Sequence, residues 1–382
     1  MPAIHQIGHD SENLLFEEGL NRFGGVILSP LNYTPDEVRA QLGLLRERPN
    51  FVTIFDPHLY RPQSERMCLP NWNYYPKDIE TSDLTPELWN STIDKVAKTA
   101  IDLETDFVAS PAIAPKSFPD EYFLDLVEIG NRLEETLRNT EVAPMQTVIA
   151  NMADLSAPSR AMTIASIVSR SRCSDFLLVL VNTARPGREI AEAEEIKGAM
   201  RLIASLEAAG QRVTVAFCSA DVVLWKHAGA TNCVSGKFFN LRRFTISRFD
   251  EPKGKGGGQL SYFFEEALLA FLRQGDVLRV RGKKFVSESS NRNPFSGPIL
   301  EAIPIKRPWL ALGWRQYLYW FAEIEGRLGS GAESAVEIVK IADENWGKIE
   351  KLDPPLYMDD RQTDGSWVRQ WRRALAEFPT FR

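Results

Sequence analysis

Along the first 240 residues, short apolar runs alternate with longer segments whose apolar positions recur at helical spacing. The runs are GGVILSP (24–30), FVTIFDP (51–57), DFVASP (106–111), QTVIANMAD (146–154), DFLLVLVN (175–182), RVTVAFCS (212–219) and TNCVSG (231–236). Each has the length of a strand covered on both faces, where polar and apolar residues no longer alternate, so the runs predict parallel strands. The helical segments between them carry start and stop signals. TPDEVRAQLGLLRER opens on Thr34, Pro35 and Glu37, an N-cap, a first-turn proline and a capping-box acid, and TPELWNSTIDKVAKTAI repeats the device at Thr85. FPDEYFLDLVEIGNRLEETL, APSRAMTIASIVSR, ADVVLWKHAG and REIAEAEEIKGAMRLIASLEAAG follow, the last ending on Gly210 as a capped helix should.

Seven strand–helix units, then LSYFFEEALLAFLRQ read as one more helix, predict an α/β fold of the (β/α)8 TIM barrel type. The eighth strand is placed in FFNLRRFTI, and a doubly wound open sheet is the alternative. Residues 58–84 make a long loop rich in aromatics and prolines, of a length that usually serves a function or an interface. Beyond residue 285 the pattern changes. SESSNRNPFSGP reads as a flexible loop and PWLALGWRQYLYWFAEIEGRL as a helix bearing Trp309, Trp314, Tyr317 and Trp320. The division is a barrel over 1–299 and a helical C-terminal extension over 300–382, packed on the barrel or offered to a protein partner through its tryptophans.

With 382 residues, 44% of them hydrophobic, the chain can bury a large core. No basic, apolar leader opens it and no stretch approaches about 18 uninterrupted apolar residues, so a cytoplasmic protein without membrane spans is expected. Cys68, Cys173, Cys218 and Cys233 form no C-x-x-C pair, which argues against a zinc ribbon or a disulfide framework and for buried thiols. No metal site or cofactor is expected. The net charge of −6 disfavours a polyanion binder overall, yet between Lys237 and Lys284 eleven Lys and Arg face five Asp and Glu, a local excess of six.

Barrels of this type place their chemistry at the carboxyl ends of the strands, so the polar residues just past each run are the candidates. In FDPHLYRPQ, Asp56 can act as a base or orient His58, with Tyr60 beside them; equally, Asp-Pro can be a strand-ending turn whose carboxylate accepts backbone N–H groups. Asn151 with Asp154, and Asn182 with Arg185, fall at two successive strand ends, where amide and guanidinium groups suit a polar heterocycle or a phosphate. Asp154 can instead cap the next helix, and Arg185 can belong to a solvated turn. Ser29, Asn32, Ser110, Ser219, Asp221, Ser235 and Asn240 complete the strand-end set, with Asp221 in a helix-dipole position. In VSGKFFNLRRFTISRF, Lys237, Arg242, Arg243 and Arg248 interleave with four phenylalanines, a composition suited to single-stranded nucleic acid or, alternatively, to a strand with its rings in the core. The following GKGGG lacks the spacing of a nucleotide loop.

Two patches carry a resemblance. TPDEVRAQLGLLRERPNFVTIFDPHLYRPQ resembles the early segment of the queuine and archaeosine tRNA-guanine transglycosylases, in which a strand ends in His-Leu-Tyr followed by Arg-Pro. GATNCVSGKFFNLRRF is similar to their late segment, in which a strand carries the nucleophile and basic residues follow. The resemblance implies a (β/α)8 barrel that exchanges a guanine base through an aspartate. The chain departs from that pattern: TNCVSG offers Asn232, Cys233 and Ser235 where the nucleophile belongs, and the family's C-x-C-x-x-C zinc site is absent. A remote, zinc-less member with altered chemistry, or one that keeps only the barrel, is what the patches imply.

Three functions compete. A transglycosylase-like barrel acting on a nucleobase in tRNA or single-stranded DNA or RNA would use Asp56, His58 and Asp154 for catalysis, Tyr60, Asn151, Asn182 and Arg185 for the substrate, and Lys237, Arg242 and Arg243 for phosphates. A non-catalytic subunit of an assembly would have a mouth filled by side chains and exposed tail tryptophans. A small-molecule barrel enzyme would bind a phosphorylated substrate and no nucleic acid.

Overall fold

The computed structural model describes residues 3–9, 11–62, 66–76, 86–250, 259–349, 352, 356 and 365–378. Eight parallel strands close into a barrel in chain order: β1 (Ile4–Gln6), β2 (Gly25–Leu28), β3 (Val52–Phe55), β4 (Phe107–Ala109), β5 (Ala143–Asn151), β6 (Asp175–Val181), β7 (Arg212–Ala216) and β8 (Asn232–Gly236). The longest registers run from Met145 opposite Asp175 to Asn151 opposite Val181, and the ring shuts where β1 pairs with both β2 and β8.

This closure corrects one expectation. The eighth staple of the ring is the N-terminal tripeptide Ile-His-Gln, and FFNLRRFTI forms 3-10 turns at Phe239–Leu241 and Ile246–Phe249 instead of a strand. Three residues are too few to display a period, which is why the segment escapes pattern reading.

The helices between strands are α1 (Pro35–Leu45), α2 (Pro86–Leu103), α3 (Asp120–Leu137), α4 (Met152–Leu155), α5 (Pro158–Val168), α6 (Ala193–Ala208) and α7 (Val222–His227). Thr34 and Glu37 form the expected reciprocal box at the start of α1, the Thr34 amide donating to Glu37 Oε2 at 2.7 Å. Thr85 lies outside the described residues. Gly210, at φ +91°, ends α6: its N–H bonds the Glu207 carbonyl and that of Gln211 the Leu206 carbonyl. The Glu207 carboxylate then accepts from the amides of Val213 and Thr231, tying α6 to the starts of β7 and β8.

After β8 the chain departs from a simple repeat. LSYFFEEALLAFLRQ, expected as a helix, is an antiparallel hairpin of β9 (Phe263–Glu265) and β10 (Ala270–Leu272). The Gln316 amide both accepts from the Phe264 N–H, at 2.8 Å, and donates to the Phe264 carbonyl, at 2.9 Å, so a tertiary partner completes the strand edge and overrides local helical preference. SESSNRNPFSGP, expected as a loop, contributes to α9 (Lys284–Arg292) and α10 (Ser296–Ala302), which follow α8 (Gln274–Val280). Three longer helices complete the chain: α11 (Leu310–Gly329), α12 (Ala335–Ile349) and α13 (Ser366–Glu377).

Helix α11 occupies the outer layer beside β8. Tyr317 Oη lies 2.9 Å from Ser235 Oγ on β8, Lys226 of α7 pairs with the buried Glu325 at 3.1 Å, and Arg315 and Glu323 pair with Glu17 and Arg22 of the N-terminal segment. Helix α13 packs on α6, with Trp371 Nε1 donating to the Ile190 carbonyl at 2.7 Å. Trp309, Trp320, Trp346, Trp367 and Trp371 are all buried; Trp320 packs on Phe264 of the hairpin, and Trp346 packs on Trp367 while donating to the Leu268 carbonyl. No helix among the described residues is long and apolar enough to cross a membrane. The four cysteines are free thiols, three of them buried and Cys68 half-buried.

Two outcomes follow from this packing. A Cβ on Gly198 of α6 would sit 1.9 Å from the Leu155 carbonyl oxygen, and backbone cannot yield as a side-chain end can; Gly198→Ala is expected to lower stability by about 1–3 kcal/mol in urea denaturation. Glu265 is fully buried and its carboxyl is pushed up to about 8 by burial, only partly offset by the bonds from Ser289 Oγ and the Ala267 amide. The folded state therefore holds a proton that the unfolded state releases, and stability falls as pH rises from about 4.5 to about 8. Glu265→Gln, an analogue of the neutral acid, should match the parent in thermal denaturation at pH 5 and melt higher at pH 8.

Candidate functional site

Alternation along the strands turns Ile27, Ile54, Thr147, Val179, Thr214 and Val234 into the barrel and brings Asp56 to its carboxyl-end mouth. Two residues there leave the ordinary backbone regions: His58 at φ +54° and Phe217 at φ +60°. Their left-handed conformations turn the chain sharply at the ends of β3 and β7, which puts both rings over the opening. Non-glycine residues held this way store strain that the surrounding packing must sustain.

Asp56, His58 and Tyr60 are brought together. Tyr60 Oη donates to Asp56 Oδ2 at 2.8 Å, the His58 amide donates to Asp56 Oδ1 at 3.0 Å, and His58 Nε2 stands 3.5 Å from Asp56 Oδ2. Burial pushes the Asp56 carboxyl up to about 6, against the lowering effects of the His58 amide, the Tyr60 hydroxyl and the nearby Arg248. Burial, followed by Arg248, holds His58 well below its usual value, so the ring is neutral; neither ring nitrogen makes a hydrogen bond. The cluster combines a carboxyl that titrates near neutrality, a neutral imidazole and a phenol, which is proton-transfer chemistry in kind.

The cluster is also sealed. Phe244 packs between Phe217 and Tyr60, with centroids 5.3 and 5.1 Å away, and Phe249 lies 5.1 Å from Tyr60 and 5.5 Å from His58. Arg248 reaches Asn32 Oδ1 at 3.2 Å, and Asn32 in turn accepts from Ser29 Oγ. On the far side, the buried Arg243 donates to Glu189 Oε2 at 3.2 Å and Asp221 Oδ2 at 3.4 Å, while Ser219 Oγ donates to Glu189 Oε1 at 3.0 Å. Burial raises the Asp221 carboxyl, and the Arg243 charge opposes that rise.

The other predicted residues are distributed around this core. Lys237 and Arg242 turn outward toward α11: Lys237 Nζ sits 4.1 Å from the Trp314 ring centre, and the Arg242 guanidinium stacks 3.6 Å from that of Tyr317 while donating to the Gly236 and Lys237 carbonyls. Asn151 caps α4 by accepting from the Ala153 amide. Asp154 is half-buried on α4, and among the described residues the hydrogen-bond and ion-pair partners of Asp56 are His58 and Tyr60, not Asp154. Ser110 is locked to Thr147 of β5. Asn182 turns its Oδ1 to the Ala184 amide and, with the exposed Arg185, lines an open cleft of about 500 Å³ beyond β6. Arg188, Glu189, Glu192 and Glu195 complete its polar wall. The GKGGG run lies outside the described residues.

Sequence reading noted Arg188 only as a flank of the Pro-Gly turn beside Arg185 and passed over Glu189, Glu192 and Glu195, which follow the strand end by eight or more residues and carry no motif. The basic–aromatic interleaving did point to Arg243 and Phe244, although their partners are other parts of this chain. Among the described residues, no group of three or more His, Cys, Asp or Glu is placed to hold a metal ion.

Arg243 carries the balance of charge here. Its removal would leave two buried carboxylates facing each other, so Arg243→Ala is expected to cost about 3–5 kcal/mol in urea denaturation. Adding Glu189→Gln should restore part of that loss, and a strictly additive double variant would refute the coupling.

No protein-family model and no curated protein matches the sequence. Among solved structures, the chain is similar to a type I 3-dehydroquinate dehydratase from Clostridium difficile, at 11% identity and a TM-score of 0.35, covering 65% of this chain and 89% of that one. It is also similar to a monomeric dihydrodipicolinate synthase variant, at 11% identity and a TM-score of 0.37, covering 86% and 97%. A xylanase A from P. fluorescens subsp. cellulosa matches at 10% identity and a TM-score of 0.36, covering 62% and 86%. None of these is a tRNA-guanine transglycosylase. The chain is a closed (β/α)8 barrel with a C-terminal helical region, as its own strand order establishes.

Proposed function

We propose that this barrel binds a small polar ligand bearing an anionic group, such as a phosphate monoester, in the cleft beyond β6. The observation that carries the reading is the cleft itself: an open concavity of about 500 Å³ at a strand's carboxyl end, lined by Asn182, Arg185, Arg188, Glu189, Glu192 and Glu195. That size falls within the usual range for small-molecule sites, roughly 300–1,000 Å³, and the position is the one barrels use for ligands. Two guanidiniums suit bidentate capture of an oxyanion. Three carboxylates on the same wall favour a ligand that also carries hydrogen-bond donors. Burial, and after it the neighbouring Glu192, raises the Glu195 carboxyl above its ordinary value.

Base exchange on a nucleic acid, with Asp56, His58 and Asp154 in catalysis, asks more of the molecule. Lys237, Arg242 and Arg243 would have to meet phosphates, yet all three are buried, with rings, carbonyls or carboxylates of the same chain around them. A nucleic-acid partner therefore requires those contacts to be exchanged for external ones. A protein partner docking on the tail would find its tryptophans already packed, apart from the half-buried Trp314.

Calorimetric titration with inorganic phosphate, a panel of nucleoside and sugar monophosphates, tRNA and single-stranded DNA, each at low and moderate salt, separates these readings. A monophosphate should bind, and Arg185→Ala should weaken it by roughly tenfold, about 1.4 kcal/mol. Salt-sensitive binding of tRNA or DNA that falls on replacing Arg242 and Arg243, with no monophosphate binding, would instead establish the nucleic-acid function.

A further inference from the structure

We propose that residues 243–249 are an intramolecular plug in the barrel mouth, which moves as a unit while the barrel stays folded and so opens Asp56, His58 and Tyr60 to solvent and ligand. Four observations converge on this.

The plug stands where (β/α)8 barrels gather their reacting groups, and it fills the space with two rings. Phe244 and Phe249 contact Phe217, Tyr60 and His58, residues from the ends of two strands on different sides of the ring. No part of residues 243–249 enters a strand ladder; the segment holds one 3-10 turn, Ile246–Phe249. Since β8 ends at Gly236 and pairs with β1 and β7 ahead of the plug, lifting the segment breaks no pairing of the barrel.

Its attachments are discrete side-chain anchors. Arg243 is held by Glu189 and Asp221, Arg248 by Asn32, and Arg66 donates to the carbonyls of Ser247 and Asp250. Arg242, the residue just before the plug, is pinned by two backbone carbonyls and by Tyr317, which supplies a fixed pivot.

The closed plug also leaves needs unmet, both beneath it and on its own side chains. Both ring nitrogens of His58 and the Nε atoms of Arg243 and Arg248 are buried without hydrogen-bond partners. Each such group forgoes hydration worth about 1–3 kcal/mol, and opening restores it. Finally, the two residues in left-handed backbone at the mouth, His58 and Phe217, are both ring partners of the plug, which is where strain tied to a movable contact belongs.

The experiment is carbethoxylation of the full-length protein with diethyl pyrocarbonate, which attacks neutral imidazole, read residue by residue by peptide mass spectrometry. His5 is the internal control: it too is fully buried and neutral, but its ring packs on Phe23, and the charges that act on it are Lys237 and Arg242, which precede the plug and stay in place when it lifts. In the parent, His58 should react roughly tenfold or more faster than His5, because local opening requires less free energy than global unfolding. Phe249→Ala and, independently, Arg66→Ala should each raise the His58 rate further while the His5 rate stays unchanged. Should His58 react no faster than His5 in the parent, or should the two rise together in both variants, the mouth opens only by unfolding of the whole chain and the plug does not exist as a moving part.

Discussion

The parallel pairing of the tripeptide Ile4–Gln6 with both β2 and β8 is the constraint on which the rest depends. An open sheet of the remaining seven strands would separate the end of β3 from the end of β7. Closure instead sets them around one opening, so that a single ring, Phe244, can touch Tyr60 and Phe217 at once. The same closure explains the route of the chain after β8. With β1 completing the ring, no further strand is needed, and the basic, phenylalanine-rich segment is free to fold inward over the mouth.

Charge then fixes how that segment sits. Arg243 enters a region already holding Glu189 and Asp221, two carboxylates that would repel if left alone in a poorly hydrated interior. The guanidinium meets both and is met by no third partner at Nε. Glu189 has a second role, since it also forms part of the wall of the cleft beyond β6. The mouth and the cleft thus share one side chain, and a ligand that changes the charge around Glu189 acts on the hold of Arg243. The C-terminal helices reinforce this arrangement at a distance: Trp371 of α13 bonds the carbonyl of Ile190, the residue next to Glu189.

Much of the architecture was legible in the sequence because a parallel strand covered on both faces leaves a short apolar run, which its length and the turn residues on either side separate from a buried helix. Seven strands, the capping box at Thr34 and the glycine stop at Gly210 were readable for that reason. Where the period was too short, as in β1, or where a distant residue completed the hydrogen bonding, as Gln316 does for β9, local pattern carried no trace of the outcome. Of the candidate site, the neighbours Asp56, His58 and Tyr60 could be read as a group because five consecutive residues contain them. Glu189 could not, since its importance comes from Arg243, fifty-four positions away. The basic–aromatic signal was real in composition, but sequence alone does not distinguish rings and cations aimed at a nucleic acid from rings and cations aimed back at their own barrel.

Helix α11 bears on how the C-terminal region should be regarded. A (β/α)8 barrel needs a helix outside its last strand to cover the apolar edge between β8 and β1. Here the chain runs through a hairpin and three short helices before α11 supplies that cover, with Tyr317 against Ser235 and Arg315 and Glu323 joined to the N-terminal segment. The buried Trp320 of this helix and its Glu325, paired with Lys226 of α7, are therefore part of what closes the barrel. A truncation at the start of the helical region would expose the outer face of β8 and the buried lysine together, and the barrel would lose the surface against which Arg242 holds the base of the plug.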